Sequence, residues 1–350
     1  MEPVKTNQLW QILSSNNLVD GLEPTFDDGA PWYLKILMAV SGWIAALSIL
    51  GFLALALLEV FEDPIFASIF GFILIGCAFL LLRSQNSDFR EHIGLALSCA
   101  GQGLLVWALF SEAHGIEFWL GFALMQLLLA LLMPNALHRT ISALCCLLGL
   151  AGVGAEMSQP LLAPSIGLIL STSLWLREFQ FGRYISQFRA LGYGLTLGSL
   201  LLSGAYTQFW LYDLFLSGQL ESSDWFWSGG IIQTVVAMLM LSVLLRRYDY
   251  SFKRNTTLLI YCLALLVCFV AAQASGVLVA IIVLILGFSR QNRILMSLGI
   301  AFGLLYLSFY YYHLSATLLE KSQLLAVLAL ALAMIPRLIR HTMLKDNLHE

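Results

Sequence analysis

From residue 32 onward the chain alternates long apolar runs with short polar breaks. The runs fall at about 33–58, 64–82, 93–112, 116–133, 138–156, 160–176, 187–208, 225–245, 256–272, 274–289, 294–312 and 322–339. Most are near the roughly 20 residues an α-helix needs to cross about 30 Å of hydrocarbon. They predict an all-α, polytopic transmembrane bundle of about twelve helices, and a merged or re-entrant pair around Gln273 would lower the count to ten.

The pattern also sets the domains. Residues 1–31 read as an extramembrane N-terminal segment in which Val4, Leu9, Trp10, Ile12 and Leu13 have roughly helical spacing. They predict a short amphipathic helix that lies on the membrane surface or packs against loops. Glu23, Pro24, Asp27, Asp28 and Gly29 then form a flexible acidic linker. Residues 32–340 make the transmembrane domain and 341–350 a polar tail. No compact apolar run near Met1 is followed by a small-residue cleavage site, so the sequence does not open on a cleavable signal peptide.

Charge gives the threading. All but one of the 18 Lys and Arg residues fall in alternate breaks, in the two tails, or at Lys35 in the foot of the first span. The opposite breaks contain Lys321 alone, beside Glu59, Glu62, Asp63, Glu112, Glu117, Glu156, Asp213, Glu221, Asp224 and Glu320. The positive-inside rule places the basic breaks and both termini in the cytoplasm. Six hairpins follow, each turning on the outer side and joined to the next by a basic inner loop. Trp32, Tyr33, Trp175 and Tyr184 at inner span ends, with Trp119, Trp210 and Trp225 at outer ends, match interfacial anchoring. The inner loops after F-L-L-L (Arg83 to Asn86) and after I-L-G-F (Ser289 to Asn292) resemble each other and hint at hairpin duplication.

Composition agrees with a membrane protein: 59% of residues are hydrophobic, only 11% are charged, and the mean hydropathy is +0.84. A soluble fold of this length has no interior able to take that much apolar surface. The six cysteines lie within apolar runs without C-x-x-C spacing and read as packing residues.

Within the spans the polar residues are neutral. Gln102, Gln126, Thr172, Thr196, Gln233, Thr234 and Tyr261 are suited to interhelical hydrogen bonds. Gln102 and Gln233 are the pair a polar midplane cavity would use. Gly194-x-x-x-Gly198 and Gly299-x-x-x-Gly303 mark close contacts inside the bundle. Phosphate-binding loops, hydrolase elbows and H-E-x-x-H are missing, so no catalytic, cofactor-binding or metal-binding residue is assigned. At the outer side, His114 between Glu112 and Glu117, together with His313, offers a cation or proton site only if those loops meet.

The remaining candidate is the stretch around Lys321, the lone outer basic residue. Tyr310, Tyr311 and Tyr312 fall at the outer interface, His313 to Thr317 turn, and Glu320 and Lys321 begin the last helix. A carboxylate near a helix N-terminus is favoured by the helix dipole. The motif either staples the last hairpin or forms a docking surface.

G-F-S-R-Q-N-R-I-L-M-S-L-G-I-A-F and Y-Y-Y-H-L-S-A-T-L-L-E-K-S near the C-terminus resemble a family of bacterial multi-pass inner-membrane proteins of unknown function. So do L-W-Q-I-L near the start, P-W-Y-L-K at 31–35, G-W-I-A-A-L from Gly42 and A-G-Q-G-L at 100–104. The resemblance implies a bacterial cytoplasmic membrane and a neighbouring gene for a small membrane-anchored protein with a Gly-Asp-Tyr motif. It carries no activity or catalytic residue.

Two functions lead, ahead of a lipid-processing enzyme that would need two of the outer carboxylates within about 5 to 10 Å of each other. One is a non-enzymatic membrane component that works in the lipid bilayer with a small membrane-anchored or envelope partner, with no role for nucleic acid. The other is a secondary transporter of a small solute, which predicts a polar site lined by residues such as Gln102 and Gln233.

Overall fold

A computed structural model describes residues 63–83, 88–159, 161–180, 182–208, 224–247, 255–271 and 275–313, with isolated positions at 14–16, 37, 40–41, 44, 48, 51–52, 55, 319 and 323. The first and last apolar runs and the N-terminal amphipathic segment therefore lie almost wholly outside the described residues.

Among the described residues the chain is all-helical. Its helices are α1 (Pro64–Arg83), α2 (Asp88–Glu112), α3 (Ile116–Leu132), α4 (Ala136–Glu156), α5 (Leu162–Leu176), α6 (Ile185–Gln208), α7 (Asp224–Arg247), α8 (Asn255–Ala271), α9 (Ser275–Ser289) and α10 (Arg293–His313). Each coincides with an expected apolar run to within a few residues. Spans within α1, α2, α4 and α7 are long and apolar enough to cross a membrane, while α3, α5 and parts of α8, α9 and α10 are shorter apolar helices. Large side chains such as Phe72, Leu80, Leu239, Phe269 and Phe288 point outward. A helix apolar on both its packed and its open face is suited to lipid.

Local chemistry sets the helix ends. Asp63 Oδ1 accepts from Ile65 N–H at 2.8 Å, ahead of Pro64 at the first helical position of α1. Asn135 caps α4 and Asn292 caps α10 in the same way. Ser158 and Gln291 close α4 and α9 with φ of 55° and 53°, the left-handed turn that returns late backbone N–H groups to orphan carbonyls.

Tertiary packing departs from the expected hairpins. The most extensive pairings join α1 to α2, α3 to α4, α6 to α4 and α5, and α9 to α10. The sequential pairs therefore close at the arginine-bearing turns, whereas α2 and α3, joined by a short turn at 113–115, touch little. The pattern is not uniform: α4 and α5, joined at an outer turn, touch more than α7 and α8, which flank a basic one. Small residues bring α1 and α2 together: a Cβ on Gly71 would sit 2.9 Å from Gly101 O, and one on Gly101 would sit 2.7 Å from Gly71 O. Backbones this close supply dispersion contacts that a short loop by itself does not.

Helix α6 is the hub, touching α4, α5, α9 and α10. Gly194 lies against Thr140 of α4 and Gly198 against Leu147. Gly299 faces Leu284 and Gly303 faces Ala280, so both glycine pairs serve contacts within the chain. The main core gathers Leu168, Trp175, Leu200, Met240, Leu278 and Tyr306 from five helices.

Charge segregates along the bundle. Asn135 Nδ2 to Glu91, Arg139 to Met133 O and Gln187, Arg189 to Glu178, and Arg247 and Arg290 to Leu176 O tie the helix ends together on one side. This basic end contains every described arginine. Asp63, Glu112, Glu117 and Glu156 lie at the opposite, acidic end.

Candidate functional site

A buried polar chain crosses from α2 to α3 and α4. On α2, Ser98 and Gln102 are four residues apart and share a face; on α4, His138 and Ser142 repeat that spacing. His138 Nε2 lies 2.7 Å from Ser98 Oγ and 3.3 Å from Gln102 Nε2, while its Nδ1 lies 3.2 Å from Ser142 Oγ. Gln102 Nε2 also donates to Ser98 Oγ at 3.1 Å, and Gln126 Nε2 of α3 donates to Gln102 Oε1 at 2.8 Å. Ser98, Gln126, His138 and Ser142 are all buried.

The turn between α3 and α4 positions the imidazole. Asn135 Oδ1 accepts from the backbone N–H of His138 at 2.9 Å, and Asn135 Nδ2 donates to Glu91 Oε1 at 2.5 Å. Arg139 is buried yet satisfied, with its Nε on Met133 O and its Nη1 on Gln187 Oε1 at 3.3 Å. The α4 start is thereby fixed to α2, α3 and α6, and His138 points inward. From the basic end, Gln126 lies about 9 Å along α3 from Leu132, at 1.5 Å per residue.

Donor and acceptor counting gives the chain two senses. With Gln102 Nε2 donating toward the imidazole, Nε2 of His138 accepts and Nδ1 donates to Ser142. Turning both glutamine amides over, so that each exchanges its oxygen and nitrogen positions, reverses the chain: His138 Nε2–H donates to Gln102 Oε1, and Gln102 Nε2 donates to Gln126 Oε1. In the first sense Gln126 Oε1 is buried without a partner among the described residues. A protonated imidazole, which donates from both nitrogens, fits once the Gln102 amide turns its oxygen toward it. No carboxylate contributes to the described chain, so the site is neutral until His138 takes a proton.

His138, which the sequence analysis did not single out, and Arg139, counted there only among the basic breaks, are both buried in the first turn of α4. The available signal was S-x-x-x-Q at 98–102 with H-x-x-x-S at 138–142, two polar pairs at helical spacing in adjacent runs. Gln102 and Gln126 do form an interhelical hydrogen bond as the sequence suggested.

Gln233 belongs to a different helix group. It is fully buried on α7, and neither end of its amide has a partner among the described residues. Gly229 packs on Leu161 and Arg247 reaches Leu176 O, so α7 runs parallel to α5. That register sets Gln233 level with Ser165, whose hydroxyl is likewise buried and without a partner among the described residues. Gln102 meets α3 and α4, whereas α7 packs on α5, α8 and α9. The two glutamines are not brought together.

At the acidic end, Tyr311 and Tyr312 meet edge to face at 5.9 Å, and Tyr312 is 80% exposed. Tyr310 and His313 end α10, with side chains outside the described set, and Thr317, Glu320 and Lys321 lie outside the described residues. His114 stacks on Phe110 at 6.2 Å. Among the described residues no three His, Cys, Asp or Glu side chains gather as a metal site.

A family model described as Domain of unknown function (DUF4401) matches residues 31–340, and the chain belongs to that family. No curated protein and no solved structure matches it.

Proposed function

We propose that this family member is a multi-pass protein of a bacterial cytoplasmic membrane, with about twelve spans and both termini inside, and that it is a secondary transporter whose cycle includes a proton on His138. Residues 1–31 and 341–350 are then cytoplasmic. The single observation that supports transport is the Ser142–His138–Ser98–Gln102–Gln126 chain, which holds a buried imidazole between α2, α3 and α4 near the basic end. An ionisable side chain held in a span is costly and so marks a candidate functional site, and a relay needs hydrogen bonds that can reverse. The segregation of every described arginine to one end supports the threading.

Histidine-selective labelling of the full chain in lipid nanodiscs tests the site. The His138 resonance, identified by its loss in H138Q, is expected to move reversibly as the pH is lowered while the protein stays folded. A resonance that stays fixed down to the pH at which the protein unfolds removes His138 as a proton carrier.

A second reading, a non-enzymatic component acting with a small membrane-anchored partner, draws on the exposed Tyr312 beside Tyr311. Purification in mild detergent would then recover a stoichiometric partner, and Y312A would lose it. A clean monomer stabilised by a small solute argues for transport instead.

A further inference from the structure

The basic end contains an arginine cluster that the polar chain does not use. Helix α5 ends at Leu176, where the last carbonyls lack helical partners. Arg247 Nη2 donates to Leu176 O at 2.7 Å, and Arg290 Nη2 donates to the same oxygen. Two residues on, buried Glu178 pairs with Arg189, and the Arg290 guanidinium lies 5.8 Å from the Phe179 ring centre. Three helices and the α9–α10 turn thus bring three guanidinium groups around one carboxylate and one helix C-terminus.

That cluster retains excess positive charge. A helix C-terminus offers about half a negative charge, and Glu178 one more, against three cations. Burial, and then the neighbouring Arg247 charge, push the Arg290 guanidinium below its usual range, while Glu178 pulls the other way. Arg290 Nε is buried without a partner among the described residues. Arg177, Arg246 and Arg293 are exposed at the same end. A diffuse cation excess suits any anion; its setting narrows the class. Exposed Phe179, Tyr184 and Phe288 flank the cluster as interfacial anchors, and the open apolar face of α7 rises from it through Val243 and Leu239.

We propose that the Arg189–Arg247–Arg290 cluster binds the phosphate of an anionic phospholipid, whose acyl chains lie along the apolar face of α7. Guanidinium forks match phosphate oxygens in pairs, and basic pockets between helix ends suit such headgroups. The lipid phosphate supplies the negative charge the protein lacks there. Its chains cover Leu239 and Val243, which lie open among the described residues.

The test uses the full chain in detergent, with thermal stability read after adding phosphatidylglycerol, phosphatidylcholine or inorganic phosphate. Phosphatidylglycerol is expected to raise the melting temperature above phosphatidylcholine, and inorganic phosphate to do neither. R247Q is expected to weaken the preference for the anionic lipid about tenfold, with R246Q as the exposed control. Equal response to both lipids, equal response to free phosphate, or an undiminished preference in R247Q overturns the proposal. Should R247Q not fold, a photoactivatable phosphatidylglycerol must label wild type within 176–190, 239–247 or 288–294; labelling confined to other segments also overturns it.

Discussion

The hydroxyl of Tyr306 donates to the backbone carbonyl of Leu200, and the ring that delivers it fills a notch between Gly204 of α6 and Gly276 of α9. Tyr306 is 2% exposed, and a Cβ on Gly204 would collide with its Cε1. One aromatic side chain therefore locks three helices, and its polar tip is satisfied at a carbonyl that already belongs to a helix.

That lock sets an order of stabilities. Y306F removes one buried hydrogen bond and should cost about 1 kcal/mol. G204A forces the ring out of place and should cost more, about 1–3 kcal/mol. Thermal unfolding in detergent ranks the two, and a G204A protein as stable as wild type would contradict the notch.

The polar chain predicts unequal glutamines. Q102L removes the bonds from Gln102 to Ser98, His138 and Gln126 at once, leaving the Gln126 amide without its partner, and should cost about 2–3 kcal/mol. Q126L removes one hydrogen bond together with a buried orphan oxygen and should fall within about 1 kcal/mol of wild type. Equal losses in chemical denaturation would mean that the bonds around His138 are not continuous.

Gln233 gives the sharpest stability test. Both amide atoms are buried without partners among the described residues, so Q233L should raise stability by about 1–3 kcal/mol. A Q233L protein that unfolds earlier than wild type shows that this amide has a bound partner, and a solute that rescues the wild type but not Q233L would identify it.

In the α1–α2 pair, G101A places a methyl 2.7 Å from Gly71 O and should cost about 1–3 kcal/mol. G103A meets nothing within 4 Å and should be neutral or stabilising by up to about 1 kcal/mol. The pair is compared by thermal unfolding, and a neutral G101A would refute the close backbone approach.

The proposed sidedness is tested in a cysteine-free background. An impermeant thiol reagent applied to spheroplasts should label a cysteine placed at Ser222 and spare one placed at Ser251. The reverse pattern turns the threading over.

The sequence by itself determined where the helices lie and how charge is distributed along them. Asp63–Pro64, Asn135 and Asn292 mark helix starts through their own side chains, and the apolar runs between them are read without knowing any neighbour. Rotation about each helix axis was not legible. In a membrane every face of a span is apolar, so hydropathy does not say which side meets protein and which meets lipid. Tertiary structure decided that His138 turns inward onto Ser98 and Gln102, that Gln102 and Gln233 belong to separate helix groups, and that hairpins close at the arginine turns. The physical reason is that these choices rest on close contacts between distant segments, Gly71 on Gly101 and Tyr306 on Gly204, whose energy exists only once both backbones are in place.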